Sequence, residues 1–414
     1  MNAEIIAIGS ELLTPFRQDT NSLHVTGKLN ELGIAVDFKT VVGDRLSDLV
    51  TVAHSAFSRA DIIVFMGGLG PTEDDLTREA VAEALGLGLN RDPEICEWLR
   101  NLFASRGYQM AENNLRQADV VQGAEVLKNS RGTAPGQFLQ APFEGKNKIV
   151  MLLPGPPHEI LPMFDDQCME RLKKIVPVHY MATRVLKVAM IGESQVDRRA
   201  APIYKPHTDV QTTILAHGGE VQLHLRAQAE SLEEAQRKVD SVVSKLEDEF
   251  DDSVFSAQGE TLEQIVGYYL QMRGASLAVA ESCTGGMLAQ RITSVSGSSR
   301  YFLGGAVVYD NSIKSMLTEV PPLMIKEHGA VSKQVAAALA EGIREGCKAS
   351  FGIGITGIAG PTGGTDEKPV GLVYHGLADG NETQVIERRF PGDRERIRYW
   401  ATTQALDMLR RKLM

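Results

Sequence analysis

The alternation of strand-like and helix-like stretches is the feature that most limits the folds open to this chain. In its first part, short apolar runs typical of buried strands are separated by stretches with helical spacing of apolar residues. This pattern favours an α/β fold with a mainly parallel sheet. Such sheets bind ligands at the carboxyl ends of their strands, so the loops after Ile8 and Met66 are expected at a ligand-binding edge. The predicted strands are 4–8, 35–42 and 61–66, and the predicted helices are 21–32, 46–58 and 76–85.

Two further segments follow the first. Residues 183–190 and 221–227 alternate as half-exposed strands do, and 194–203 and 232–250 have helical spacing, which together indicate a small α+β unit. The α/β pattern then returns in the last segment. Its predicted strands are 275–280, 304–309, 351–355, 370–377 and 383–390, and its predicted helices are 261–273, 333–347 and 395–412. We therefore predict three domains, with bounds 1–172, 173–255 and 256–414.

Composition narrows the possible functions. The formal net charge of −10 argues against nucleic acid as the main partner, although a small phosphorylated ligand held by local positive groups remains compatible. The four cysteines are scattered and include no CxxC pair, so neither a zinc knuckle nor a disulfide framework is indicated. No run approaches the roughly 18 apolar residues of a membrane span, and the first residues lack the basic start of a signal peptide. We expect a cytoplasmic protein with no membrane partner.

A strand-to-helix turn in the last segment carries a hydroxyl and a thiol side by side. The apolar run 275–280 is followed by 281–286 (Glu-Ser-Cys-Thr-Gly-Gly), and helical spacing resumes at Met287. Backbone N–H groups and the helix dipole at such a turn favour developing negative charge, so Ser282 is well placed to act as a nucleophile. An N-capping Ser or Thr before a glycine turn is the competing interpretation, and the turn alone leaves both open.

Two further loops of this segment suggest chemistry. Tyr309 and Lys314 follow a predicted strand, and a lysine whose pKa is lowered by burial, or a tyrosinate beside it, can take a proton from a serine hydroxyl. An ordinary exposed amine is the alternative. The glycine-rich run 352–364 lacks the lysine of a P-loop but has backbone N–H groups for a phosphate, unless it is only a flexible turn. Arg394 and Arg396 add positive charge or are plain surface arginines.

Together these loops resemble the C-terminal domain of the CinA family, a nicotinamide-nucleotide amidase, through residues 280–286, 309–314, 357–364 and 390–394. The resemblance implies hydrolysis of nicotinamide mononucleotide to nicotinate mononucleotide and ammonia, without a metal or other cofactor. It implies that Ser282 attacks the carboxamide carbon, that Lys314 with Tyr309 near it moves the proton, and that backbone N–H groups stabilise the oxyanion. Cys283 is a rival nucleophile. The implied substrate-binding residues are Cys283, Thr284, Gly285, Gly286, Thr356, Gly357, Gly360, Gly363, Gly364 and Arg394.

The first segment has three polar loops at its predicted ligand edge. In the loop 67–75, small residues precede a run of carboxylates, of which Asp74 and Asp75 either cap a helix or hold a hard divalent cation against a pyrophosphate. The loops 9–22 and 153–159 are the other two, and the prolines of the latter are alternatively simple turn residues.

These loops look like the molybdopterin-binding-like domain that forms the N-terminal part of full-length CinA proteins, although Thr14-Pro15 stands where the family usually has glycine. The resemblance implies metal-dependent hydrolysis of ADP-ribose to AMP and ribose 5-phosphate, with Asp74 and Asp75 as metal ligands. The implied cofactors are a divalent ion, Co²⁺ or Mg²⁺, and K⁺. It also implies a homodimer, and the middle segment is expected to be KH-like or ferredoxin-like. The implied nucleotide site comprises Glu11, Asn21, Gly67, Gly68, Gly70, Thr72, Asp74, Asp75, Pro154 and Gly155.

Three alternatives to a two-activity enzyme of pyridine-nucleotide salvage stay open. In the first, the N-terminal domain binds a nucleotide without turnover beside an active amidase. A non-enzymatic protein of competence or DNA-damage responses would require Ser282, Tyr309 and Lys314 to be structural. An enzyme of a molybdopterin pathway would follow from the N-terminal resemblance alone.

Overall fold

The N-terminal domain is a mixed sheet with helices on both faces, and the computed structural model describes residues 1–176 and 180–414 of the chain. Its strands are β1 (Asn2–Ile8), β2 (Ala35–Val42), β3 (Ile62–Met66), β4 (Leu89–Arg91), β5 (Asp119–Val121), β6 (Glu125–Leu127), β7 (Gly136–Phe143) and β8 (Lys146–Leu153). Its helices are α1 (Asn21–Glu31), α2 (Leu46–Arg59), α3 (Thr77–Leu85), α4 (Pro93–Ser105), α5 (Pro157–Met163) and α6 (Met169–Ile175).

The main sheet of this domain has the strand order β2-β1-β3-β8-β7-β6. Strands β2, β1, β3 and β8 are parallel, whereas β7 and β6 are antiparallel additions at one side. Successive residues of β1 point to opposite faces, so Ile6 packs beneath α2 and α3 while Ile5 packs beneath α1 and α5. Burial on both faces explains why β1 and β3 are nearly continuous apolar runs, and the predicted parallel core is confirmed.

The middle segment is a small sheet with helices. Its elements are β9 (Tyr180–Ala189), α7 (Glu193–Tyr204), β10 (Val210–His217), β11 (Glu220–Ala229), α8 (Leu232–Phe250) and β12 (Val254–Ser256), and the sheet order is β10-β11-β9-β12. Strand β10, which the sequence analysis did not assign, forms an antiparallel hairpin with β11. By its contacts the chain divides into two compact units, the first made of 1–181 with 228–235 and the second of 182–227 with 236–414.

The C-terminal domain is a second mixed sheet enclosed by helices. Its strands are β13 (Leu277–Glu281), β14 (Phe302–Val307), β15 (Phe351–Gly357), β16 (Leu372–Ala378) and β17 (Thr383–Arg389). Its helices are α9 (Leu262–Met272), α10 (Met287–Thr293), α11 (Asn311–Thr318), α12 (Pro322–His328), α13 (Lys333–Cys347) and α14 (Arg394–Leu413). The order is β14-β13-β15-β16-β17, and the first three strands are parallel.

The parallel strands of this sheet bring three polar loops to one edge. Glu281, the last residue of β13, pairs with Val307 of β14 and with Ile355 of β15, so the loops that follow the three strands leave the sheet together. Val279 packs against α9 and α14, whereas Ala278 and Ala280 pack against α13. None of the helices that the structure describes combines the length and apolar character needed to cross a membrane.

Candidate functional sites

The serine turn lies where β13 passes into α10. Ser282 is 8% exposed, and its backbone N–H donates to Ile355 O at 2.9 Å, which extends the sheet pairing by one residue. Gly285 and Gly286 have φ values of +59° and +91°. Only glycine adopts this left-handed conformation without cost, so the two glycines allow the chain to reverse within the turn and enter α10. The predicted strand–turn–helix arrangement around Ser282 is confirmed.

Two side chains to which the sequence analysis assigned no role hold this turn in place. The buried carboxylate of Glu281 accepts hydrogen bonds from the backbone N–H groups of Gly286 (3.1 Å), Leu288 (2.9 Å) and Ala289 (2.8 Å). It thereby satisfies N–H groups that a helix start leaves without partners. From α14, the Arg398 guanidinium donates to Thr284 O at 2.7 and 3.1 Å. The sequence signal that could have identified the role of Glu281 is an acidic residue at the end of an apolar strand.

These contacts reduce the set of backbone donors available to an oxyanion. The N–H of Gly286 is bound to Glu281, and the N–H of Gly285 donates to Ser282 O at 3.2 Å. Within the part of the chain that the structure describes, the N–H of Thr284 has no acceptor, and its buried hydroxyl has no partner either. Of the predicted donors at 283–286, the backbone N–H groups of Cys283 and Thr284 are therefore the two without an acceptor among the described residues.

Lys314 is a buried amine beside this turn. It is 2% exposed, and its Nζ donates to Val308 O and Tyr309 O, each at 2.9 Å. Burial lowers the pKa of Lys314, while the negative charge of Asp310 acts in the opposite direction. Because the lowered pKa increases the fraction of neutral amine, Lys314 has the character of a base rather than of an ordinary exposed amine.

Tyr309 lies next to Lys314, but its hydroxyl bonds to Arg394. Its ring is 60% exposed, and its hydroxyl accepts a hydrogen bond from Arg394 at 3.1 Å, whereas Lys314 contacts only its backbone oxygen. Arg394 also donates to Gly360 O at 2.8 Å. The phenol and the glycine-rich loop are therefore joined through one guanidinium.

Cys283, the rival nucleophile, is a poor one in this setting. Its side chain is buried, and burial raises the pKa of the thiol to about 12. The nearby positive charges of Arg394 and Lys314 lower this pKa, but burial outweighs them. A thiol with such a pKa is neutral at physiological pH and has little thiolate to attack a carbonyl.

The glycine-rich run has two structurally different parts, one inside strand β15 and one in the loop that follows it. Gly354 lies within β15, where an added Cβ would stand 2.6 Å from Ala336 O of α13, so this glycine permits close helix–sheet packing. Thr356 is buried at the end of the same strand, and its hydroxyl donates to Ala330 O at 2.8 Å. Beyond the strand, Gly360 and Gly363 adopt φ values of +74° and +86° in an open loop. The predicted phosphate-binding role stays a prediction, and it concerns this second part of the run.

The three predicted loops of the N-terminal domain meet around one cavity of about 340 Å³. Nine of the ten predicted nucleotide-site residues line it, and the tenth, Asn21, donates to Gly155 O at 2.8 Å. The cavity confirms that the loops after β1 and β3 share one edge of the sheet. Lining residues that the sequence analysis did not name include Asp44, Gln117 and Thr133, and Glu159 of the third predicted loop also lines the cavity.

The loop 67–75 is held by buried polar contacts. Arg78, fully buried on α3, donates to Leu69 O at 2.8 Å and to Gly70 O at 3.0 Å, and burial lowers the pKa of its guanidinium. Asp75 accepts from the backbone N–H of Thr72 at 2.9 Å and from its hydroxyl at 2.5 Å. Part of the Asp75 carboxylate is thus used to close the loop.

This cavity suits a divalent cation that is held by only one or two carboxylates of the protein. Glu11, Asp44, Asp74, Asp75 and Glu159 give it hard oxygen donors. Yet among residues 1–176 and 180–414 no group of three or more His, Cys, Asp or Glu side chains converges as a metal cage would. The donor set suits an ion such as Mg²⁺ that takes one or two carboxylates and completes its shell with water and substrate phosphates.

The fold and these two sites define a class of multidomain α/β protein, with a ligand cavity at the N-terminal sheet edge and a serine turn at the C-terminal one. Three family models match successive parts of the chain. They are a probable molybdopterin binding domain at 4–174, the damage-inducible protein CinA KH domain at 183–256 and the CinA C-terminal domain at 259–413. The predicted three-domain architecture is confirmed, and the middle domain is the KH-like one of the two alternatives.

Similar proteins extend over the whole chain. A CinA-like protein of Koribacter versatilis is 60% identical over 414 residues, covering all of both chains, and one of Acidobacterium capsulatum is 58% identical over the same span. The chain belongs to the CinA family. Among solved structures, the protein CinA with unknown function from Thermoplasma acidophilum is 30% identical, with a TM-score of 0.37, covering 41% of this chain and 96% of its own.

Proposed function

We propose that the C-terminal domain hydrolyses the carboxamide of nicotinamide mononucleotide. The observation that carries this proposal is that Ser282, at the end of β13, and Lys314, a buried amine of lowered pKa, stand in loops that leave the same sheet edge. Serine is a weak nucleophile until a nearby base removes its proton, and a desolvated lysine is one of the groups that does so. The serine turn and the lysine loop leave the same sheet edge, which supports their acting together.

The proposed reaction has two halves. In the first, Ser282 Oγ bonds to the carboxamide carbon, its proton passes to neutral Lys314, and the N–H groups of Cys283 and Thr284 stabilise the oxyanion. The carbon–nitrogen bond then breaks, and Lys314 returns the proton so that ammonia leaves. In the second half, water attacks the acyl-serine, again with Lys314 as base, and releases nicotinate mononucleotide.

Binding of the nucleotide is assigned to the rim of the site. Arg394 is the positive group at the entrance, and the open part of the glycine loop offers backbone N–H groups to the phosphate. Thr356 is already bonded to Ala330 O, so its contribution is to shape the strand end rather than to donate to the ligand.

Ammonia release from nicotinamide mononucleotide tests this proposal. We expect steady turnover by the wild type and a fall of at least about a hundredfold in Ser282→Ala, because the variant loses the covalent route. Ser299→Ala, which changes an exposed serine of the same domain, is the matched control and should keep wild-type turnover. Turnover that survives Ser282→Ala would contradict the assignment.

We propose a second activity for the N-terminal domain, the hydrolysis of ADP-ribose to AMP and ribose 5-phosphate. Support comes from the cavity of about 340 Å³ at the carboxyl edge of the sheet, whose carboxylates suit a divalent ion shared with a pyrophosphate. Asp74 and Asp75 would hold the ion, Co²⁺ or Mg²⁺, with K⁺ as a further cation. When bound, the ion would neutralise charge on the pyrophosphate. Gly67, Gly68 and Gly70 let the backbone approach the substrate closely.

Turnover of ADP-ribose with added Mg²⁺ or Co²⁺ tests the second activity. We expect AMP formation that Asp74→Ala reduces by at least about tenfold, since this carboxylate is exposed at the cavity and is available to an ion. Glu97→Gln, an exposed change on α4, is the control. If the wild type binds ADP-ribose without forming AMP, the domain is a nucleotide-binding module rather than an enzyme.

A further inference from the structure

A cavity of about 500 Å³ in the second compact unit belongs to neither candidate site described so far. It lies between strand β17 and helix α14, and the residues that follow β9 close one side. Three alternate residues of β17, which share one face of the sheet, line it, namely Gln384, Ile386 and Arg388. Residues at helical spacing on one side of α14 form another wall, among them Gln404, Met408 and Arg411.

Two arginines of this cavity are oriented by side chains of α14. Arg388 donates from Nε to Gln404 Oε1 at 2.8 Å, and Arg411 donates from Nε to Asp407 Oδ2 at 2.8 Å. Gln404 and Asp407 are both buried, so their positions are set by the core around them. Within residues 1–176 and 180–414, the terminal nitrogens of the two guanidiniums have no acceptor. Both arginines therefore present free N–H donors to a ligand.

The charge available in the cavity is positive. Among the described residues that line it, Asp407 is the one carboxylate, and it is already bound to two guanidiniums. It accepts from Arg410 at 2.7 and 3.0 Å and from Arg411 at 2.8 Å, so this group of three carries a net positive charge. Arg388 adds a second charge, for which the described part of the chain provides no ion pair. Lys412 is committed to two carboxylates outside the cavity, at 2.9 and 2.6 Å. An anion is thus favoured over a cation.

The spacing of the two arginines and the apolar wall beside them narrow the class of anion. Gln404 and Asp407, which hold the guanidiniums, are three residues apart on α14, a rise of about 4.5 Å. Two acidic groups of one small molecule therefore suit the pair, because each guanidinium fork binds a carboxylate or phosphate in a fixed geometry. The apolar part of the lining comes from four further side chains, Met190, Ile191, Ile386 and Met408. An inorganic anion would leave this apolar surface without a partner.

We propose that this cavity binds a small organic dicarboxylate. Its two carboxylates pair with Arg388 and Arg411, and its apolar body lies on Ile386 and Met408. The lining residues include neither the serine turn nor any residue of the N-terminal cavity, so the assignment stands whether or not either proposed activity is found.

Chemical footprinting of arginines tests the site without assuming any activity. Phenylglyoxal modifies accessible guanidiniums, and mass spectrometry of peptides from the full-length protein gives the rate at each arginine. With isophthalate at constant ionic strength, we expect modification of Arg388 and Arg411 to slow saturably, by at least about fivefold. Arg389, an exposed neighbour on the opposite face of β17, should react at its unliganded rate. Equal protection of Arg389, or no protection of the other two arginines, would overturn the proposal.

Two further probes test the stated ligand class in the same assay. Benzoate has the same ring with one carboxylate, and pyrophosphate has several charges but no apolar body. At equal concentration each should protect Arg388 and Arg411 at least about fivefold less than isophthalate does. Protection by benzoate as strong as that by isophthalate would refute the need for two acidic groups. Stronger protection by pyrophosphate would overturn the dicarboxylate assignment.

Removal of the two guanidiniums then locates the binding energy. In calorimetric titrations, Arg388→Gln with Arg411→Gln should raise the Kd for isophthalate at least about tenfold, since both charge-assisted hydrogen bonds are lost. Arg389→Gln is the matched control and should keep the wild-type Kd. Thermal unfolding checks that each variant is folded. The single variant Arg388→Gln changes an exposed side chain and should still raise the Kd at least about threefold. An unchanged Kd in either variant would place the ligand elsewhere and refute the assignment.

Discussion

Ser282 and Cys283 are neighbours in one turn, yet their chemistry differs because of burial and partners. The pKa of the Cys283 thiol is raised to about 12 by burial, so the thiolate is scarce at pH 7. We therefore expect Cys283→Ala to keep ammonia release within about threefold of wild type, apart from small packing effects. Steady-state kinetics on nicotinamide mononucleotide measures this. A loss as large as that of Ser282→Ala would make the thiol the nucleophile.

Lys314 should impose a characteristic pH dependence. Burial lowers its pKa, and the neutral amine is the form that accepts the serine proton. We expect kcat/KM to rise with pH through the lowered pKa and to level off above it, at a midpoint below the roughly 10.4 of a free lysine. The pH profile of ammonia release is the measurement.

The matched variants for this prediction are two arginine substitutions. Lys314→Arg should abolish turnover at every pH, since a guanidinium stays protonated, while Lys333→Arg on the exposed start of α13 should leave the profile intact. A Lys314→Arg enzyme with an unaltered profile would show that another group is the base.

Some residues of the C-terminal candidate site could be identified from the sequence, and others could not. The residue types and spacing of Ser282 and Lys314 suggested chemistry but left structural alternatives open, and the resemblance to the CinA family assigned their roles. Arg398 was not identified, because it reaches Thr284 O from 114 residues away and only the packing of α14 brings them together. Tyr309 was identified, but its hydroxyl partner Arg394 depends on the same long-range packing.

Among elements, the junction of β13 and α10 depends on one carboxylate. Glu281 accepts three backbone N–H groups of the helix start. A Glu281→Gln carboxamide has one acceptor oxygen and turns an NH₂ toward the same donors, so we expect a loss of about 1–3 kcal/mol in the free energy of unfolding. Because Ser282 adjoins the junction, kcat should fall more than KM rises.

Chemical denaturation and steady-state kinetics on the same samples measure both effects. Glu341→Gln, on the exposed side of α13, is the control and should change neither quantity. Equal stability and turnover in Glu281→Gln and wild type would mean that the junction is held by the glycines and by Arg398 alone.

Strands with a clear apolar pattern could be predicted from the sequence. A strand whose conformation depends on pairing with another strand could not. Strands β2 and β3 were predicted to within a residue, because each has a continuous or alternating apolar pattern. Strand β10 was missed, since only Val210 of its residues is buried and its ladder with β11 decides its conformation. The order of strands in each sheet lies beyond any local pattern, because it is set by crossovers between distant segments.

At the scale of the whole molecule, the burial of one histidine should make the free energy of unfolding depend on pH in the acid range. His375 in β16 is fully buried, and burial lowers its pKa to about 4 from an ordinary value of 6.5. Between pH 6.5 and 4 the unfolded chain therefore binds more protons at this position than the folded one. The free energy of unfolding should fall as the pH drops through that window, by up to roughly 3 kcal/mol for the full shift.

Urea unfolding at several pH values measures this decline. His375→Gln should flatten it, whatever that variant's stability at pH 7, because the titrating group is gone. His328→Gln, which changes a histidine that is more exposed, should preserve the wild-type slope. A slope unchanged in His375→Gln would assign the acid sensitivity to other groups.

The two proposed activities also differ in what they require, so a chelator should separate them. The proposed amidase reaction uses a hydroxyl, an amine and backbone N–H groups, all of which this chain supplies itself. The N-terminal cavity presents carboxylates to a pyrophosphate, two groups of like charge that a divalent cation brings together. With EDTA we expect AMP formation from ADP-ribose to stop and ammonia release to continue at its full rate. Adding back Mg²⁺ or Co²⁺ should restore the first activity without altering the second. Parallel loss of both activities with EDTA would show that the amidase site needs an ion as well.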